Sequence, residues 1–98
     1  MMKSHNHLVK HALAAGHSVS VFDGEEWAEK RCTQYQKVMD AIQSVDEAQI
    51  RIRDAQGKIV GWALIVNDCS FEPDEFVADY TMTDFMNEWQ AAYDQLAA

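Results

Sequence analysis

Apolar residues recur along this chain with two periods, and the switches between them divide it into elements. Leu8, Val9, Ala12 and Leu13 fall at i, i+1, i+4 and i+5, the spacing that gathers side chains on one side of a helix. Ser4 stands where an N-cap belongs and Gly16 where a left-handed residue ends a helix, so a short amphipathic helix is predicted between them. Val19 and Val21 then alternate with Ser18, Ser20 and Phe22. Asp23-Gly24 supplies the pair that favours a type I′ turn before Trp27, Ala28, Lys30 and Arg31, which predicts a β-hairpin. Thr33 can cap a second helix in which Tyr35, Val38, Met39, Ile42 and Val45 recur at spacings of three and four. After Asp46 and Glu47 the period becomes two. Ala48, Ile50 and Ile52 alternate with Gln49, Arg51 and Arg53, which predicts a strand with one buried face and one wet, basic face.

Asp54 to Gly57 forms a four-residue turn with Gly57 suited to a left-handed position, and the partner strand, Lys58 to Val66, is nearly all apolar. Such a run predicts a central strand covered on both faces, and Gly61 within it predicts a bulge or a close backbone approach. Asn67 to Pro73 is expected to be a loop, followed by a short turn through Asp74 to Tyr80. Thr81 or Thr83 caps a last helix on which Phe85, Met86, Trp89, Ala92, Tyr93 and Leu96 form an aromatic-rich stripe, with Asp84, Glu88 and Asp94 largely off it. The order α-ββ-α-ββ-α predicts an α+β fold, with two β-hairpins forming a four-stranded, mostly antiparallel sheet and three helices on one face. Val19, Val21 and Asp23 also match Ile50, Ile52 and Asp54 at a constant offset, each set preceded by an amphipathic helix.

With 98 residues there is room for one domain, 1–98, and one core, to which Trp27, Trp62 and Trp89 are all expected to contribute, Trp62 most securely. No apolar run approaches the roughly 20 residues that span a bilayer, and histidines interrupt the N-terminal stretch where a signal peptide would be apolar. A cytoplasmic protein without a membrane partner is expected.

Charge changes the picture most. The net charge is −8, and every Lys and Arg lies before residue 67. Residues 67–98 hold Asp68, Glu72, Asp74, Glu75, Asp79, Asp84, Glu88 and Asp94 without a single cation, interleaved with Phe71, Phe76, Tyr80, Phe85, Trp89 and Tyr93. So many aromatics exclude a disordered acidic tail. Direct binding of nucleic acid is disfavoured, because Lys and Arg supply that affinity, whereas a basic and itself nucleic-acid-binding protein is the partner this segment suits. The eight carboxylates are therefore the candidate partner-binding residues. The competing reading is that the acidity serves solubility alone and that the protein is a small self-assembling module, a homodimer joined through the aromatic helix face. Arg51 and Arg53 could orient such an assembly by pairing with the acidic segment of the same chain or of a second copy.

Other chemistry is thinly represented. Cys32 and Cys69 stand far apart and outside any zinc-ligand spacing, which predicts free thiols. His5, His7, His11 and His17 all lie near the N-terminus, and His7 with His11 share a helical face; without further ligands they are expected to be solvent-exposed on a frayed helix, with no metal bound. No phosphate-loop, dinucleotide, nucleophile-elbow or metalloprotease motif is present, so neither an enzyme nor a cofactor is expected.

The stretches SVSVFDGEEW and RIRDAQGKIVGWALIV, with the closing acidic aromatic helix, resemble small uncharacterised acidic accessory proteins of tailed phages over most of the chain. That resemblance implies a non-enzymatic, host-directed inhibitor acting in the host cytoplasm, among which acidic mimics of DNA recur. Because the first two thirds of this chain are neutral, the mimicry it implies here is confined to one face.

Overall fold

The computed structural model describes residues 3–67 and 76–97. In chain order the elements are α1 (Ser4–Ala14), β1 (Ser18–Phe22), β2 (Trp27–Cys32), α2 (Tyr35–Gln43), β3 (Glu47–Arg53), β4 (Ile59–Val66), β5 (Val77–Tyr80) and α3 (Asp84–Ala97). The strands form one antiparallel sheet in the order β2-β1-β3-β4-β5. β3 lies at its centre, and its alternation sets the two faces: Ala48, Ile50 and Ile52 are buried while Glu47, Gln49 and Arg51 are exposed. Register carries this division to the neighbouring strands. Val19 and Val21 lie opposite Ile52 and Ile50, while Gly61, Ala63 and Ile65 lie opposite Ile52, Ile50 and Ala48. A slip of one residue would turn all of these apolar side chains to water.

The helices cover the apolar face. Leu8, Val9 and Ala12 of α1, Val38, Met39 and Ile42 of α2, and Phe85, Met86, Trp89 and Tyr93 of α3 close one core with the inward strand residues. Gly61 is required where α3 presses on β4, since a Cβ there would lie 2.5 Å from Met86 Sδ and 2.8 Å from its Cγ. α1 ends in a Schellman turn: Gly16 has φ 83°, its N–H donates to Leu13 O, and the N–H of His17 donates to Ala12 O. Thr83 starts α3, its Oγ1 accepting from the N–H of Met86 while also donating to Val60 O.

Several expectations are corrected. The sheet has five strands, not four, because Val77–Tyr80, expected as a turn, pairs with β4. β4 is not covered on both faces: Trp62, Leu64 and Val66 face away from the helices and are only half-buried. Trp62 and Trp27 are consequently outside the core, and only Trp89 fills it. The inward positions of β4 are small because α3 brings the bulk, so the large residue falls on the other face. Ser4 does not cap α1; it lies inside the helix, where its Oγ accepts from the N–H of Val77. Gln34 rather than Thr33 precedes α2, without a side-chain cap. The first hairpin closes over four residues, Asp23 to Glu26, instead of a type I′ pair; Asp23 Oδ1 accepts from the N–H groups of Glu25 and Glu26, and only Gly24 has positive φ.

The histidines are not solvent-exposed. His5 is buried against the Phe76 ring, His7 packs edge-on to Tyr93, and His11 and His17 pack on Phe85, so α1 is held in the structure rather than frayed.

Candidate functional site

Of the eight carboxylates singled out in the sequence, Asp68, Glu72, Asp74 and Glu75 lie outside the described residues, as do Cys69 and Phe71. The other four are exposed. Asp84, Glu88 and Asp94 share the solvent arc of α3, opposite the buried Phe85, Met86, Trp89 and Tyr93, and span about 15 Å of helix. Asp79 is elsewhere: its neighbour Tyr80 turns inward onto Trp89, so Asp79, paired with Leu64, belongs to the uncovered face of the sheet. The sequence segment is thus divided between two surfaces. Asp84 and Glu88 edge a groove of about 500 Å³ whose other walls include His11, His17 and Lys58, so the Lys58 ammonium shares that groove with the N-terminal end of the acidic stripe.

The aromatic stripe of α3 is the other part of the sequence reading that the structure relocates. Phe85, Met86, Trp89 and Tyr93 are buried within the monomer, so the face nominated for dimerisation is occupied by the protein's own core. Leu96 alone of that stripe is clearly exposed, at 52%.

A second site lies on the uncovered face, at the β2 end of the sheet. Ser20, Trp27, Lys30, Arg31, Arg51 and Arg53 line a depression of about 400 Å³. These include all three arginines and four of the eight Lys and Arg residues of the chain. Strand geometry brings them together, for Ser20 lies opposite Arg51 and Ser18 opposite Arg53 across β1 and β3, and a bulge in β2 places Arg31 beside them. The Arg51 guanidinium lies 4.9 Å from the Trp27 ring centre, and Phe22 packs edge-on to the same ring. Arg53 Nη1 donates to Gly57 O at 3.0 Å, and the Arg31 guanidinium lies over the same glycine. Among the described residues no carboxylate comes within 4.0 Å of any of these four cations.

Arg31 also departs from ordinary backbone geometry. Its φ is 47°, the left-handed region that residues with a Cβ enter rarely. Its N–H donates to the buried Ser20 Oγ, which fixes the bulge. Sequence reading marked Arg51 and Arg53 as a wet basic face but missed Lys30, Arg31 and Trp27 as their companions. The signal available was the period-two spacing of Arg51 and Arg53; the bulge that turns Arg31 toward them has no counterpart in the residue pattern.

Titration is shifted at three groups among the described residues. Burial, reinforced by the charge of Lys3, lowers the His5 pKa to about 4, and burial followed by the neighbouring His11 lowers that of His7. Both rings are packed against aromatic groups rather than set in a cavity with a partner acid. Backbone N–H groups of Glu26 and Glu25 hold the Asp23 carboxyl below its usual range, an effect of the turn. Among the described residues no three His, Cys, Asp or Glu converge as metal ligands, and no helix is long and apolar enough to cross a membrane. Compared with protein-family models, curated proteins and solved structures, the chain finds no match. Its own geometry therefore carries the reading.

Proposed function

We propose that this chain is a non-enzymatic interaction protein that engages a basic, nucleic-acid-binding protein through its acidic C-terminal third, as an inhibitor of the phage-encoded kind acting in the host cytoplasm. The observation that carries this reading is the exposed stripe of Asp84, Glu88 and Asp94 on a helix that bears no Lys or Arg. Carboxylates repeated along a rigid rod present charge as a phosphate backbone does. Fixed in place by the buried side of α3, they keep that spacing when a partner arrives, which avoids an ordering cost on binding. Asp79 adds an exposed carboxylate beyond the helix, and the sequence carries four more at Asp68, Glu72, Asp74 and Glu75.

Against a dimer joined through the α3 stripe stands the burial of Phe85, Met86, Trp89 and Tyr93 within the core of the single chain. Edge-to-edge pairing through β2 is likewise opposed by Lys30, Arg31 and two irregularities of register, the devices that blunt an edge strand. The proposal is tested by capture from a bacterial lysate at low and moderate salt, comparing the wild type with Asp79→Asn/Asp84→Asn/Glu88→Gln/Asp94→Asn. A nucleic-acid-binding protein retained by the wild type, released by salt and lost by the folded variant is the expected result. Identical capture by both proteins would refute it.

A further inference from the structure

The basic depression on the uncovered sheet face is built in a way that the acidic surface does not explain. Three guanidinium groups and one ammonium share it, with no carboxylate within 4.0 Å among the described residues, in a chain whose net charge is −8. Acids outnumber bases two to one here, so a chance surface would interleave them. Arg31 and Arg53 are moreover brought to the same glycine, and Arg31 holds a left-handed backbone to reach that place. Like charges gathered on a strained bulge are costly by themselves, and an anion seated among them offsets the repulsion.

We propose that this depression binds the phosphate groups of a small, multiply charged phosphate compound, a nucleotide or an inorganic polyphosphate. Arginine forks match phosphate oxygens in pairs, which a lysine-lined surface would not do. The Trp27 ring, braced by Phe22, carries the Arg51 guanidinium over its face, and a nucleotide base gains that face where Arg51 turns to the phosphates. Size is argued from two sides. A depression of about 400 Å³ falls within the range of small-ligand sites, and the acidic remainder of the chain repels a long polyanion while leaving a short one free to reach the arginines.

The test is calorimetric titration of the full chain with ATP and with inorganic triphosphate, in buffer without divalent cations, at low and moderate salt. Saturable, salt-weakened binding of at least one probe is expected. Arg51→Gln should weaken it about tenfold or more, while the thermal midpoint without ligand stays that of the wild type. Arg31→Gly serves as the second variant, because it frees the left-handed backbone yet removes a guanidinium; it too should lose the ligand. Tighter binding of ATP than of triphosphate identifies a nucleotide with its base on Trp27, and equal binding identifies polyphosphate. Absence of saturable binding by both probes, binding unaffected in both variants, or preference for a single-stranded oligonucleotide over ATP each overturns the proposal.

Discussion

Two parts of this molecule are built to one plan and end differently. Residues 4–32 and 35–66 each run helix, strand, turn, strand, and the central strands β1 and β3 lie side by side, Val19 opposite Ile52 and Val21 opposite Ile50. The offset seen in the sequence is thus a local two-fold relation in space. Even the turns agree, for Asp23 Oδ1 and Asp54 Oδ1 each accept two backbone N–H bonds. What differs is the outer strand. β4 is flanked by β5 and pressed by α3, which forces Gly61 and Ala63 inward, whereas β2 is an edge strand that carries Lys30 and Arg31. The C-terminal residues complete one unit with helix and strand and leave the other unit's outer strand at the edge. The acidic surface grows from the completed side and the basic depression from the open one.

The two units differ most sharply at Gly61, where α3 meets β4. Adding even one methyl there drives it into Met86, so Gly61→Ala is expected to lower stability by about 1–3 kcal/mol, read from the urea midpoint. A neutral result would mean that α3 does not press on β4 as described.

Acid should next distinguish the two helices of the repeated plan, because α1 carries His5, His7 and His11 and α2 carries none. His5 takes up its proton near pH 4 in the folded chain and near 6.5 once unfolded. The unfolded state therefore binds more protons between those values, and stability falls as pH drops through that window, by up to about 1.4 kcal/mol per pH unit. His5→Phe keeps a ring against Phe76 and should flatten that slope; unfolding curves at several pH values would show it. A smaller effect of opposite sign is expected at the open edge. Arg31→Gly relieves the left-handed backbone and should raise stability by about 1 kcal/mol in the same urea assay.

Much of the plan was legible because it is periodic. The alternation of Ala48, Ile50 and Ile52 with Gln49, Arg51 and Arg53 gave β3 with both faces assigned, and the three helices followed from apolar spacing. β5 was not legible. It has four residues, includes Asp79, and exists because β4 offers a partner and Ser4 of α1 accepts from Val77. Trp62 was misplaced for a related reason: in an apolar run every position looks inward, and the inward set became clear only once Gly61 met Met86. The acidic third was visible as charge, but its division between α3 and the sheet face depends on tertiary placement. Arg31 is the clearest limit, since a bulge moves its side chain to a site that the pattern assigns to Arg51 and Arg53 alone.

The most direct measurement pairs two variants against both kinds of ligand: the acidic variant at positions 79, 84, 88 and 94, and the double variant Arg51→Gln/Arg53→Gln. Each is compared with wild type for capture of the basic protein and for calorimetric binding of ATP and triphosphate. Separable losses are expected, with the acidic variant losing the protein and keeping the phosphate probe, and the arginine variant doing the reverse. If removing the arginines releases the protein partner while neutralising the carboxylates leaves it bound, the acidic third is not the interaction surface.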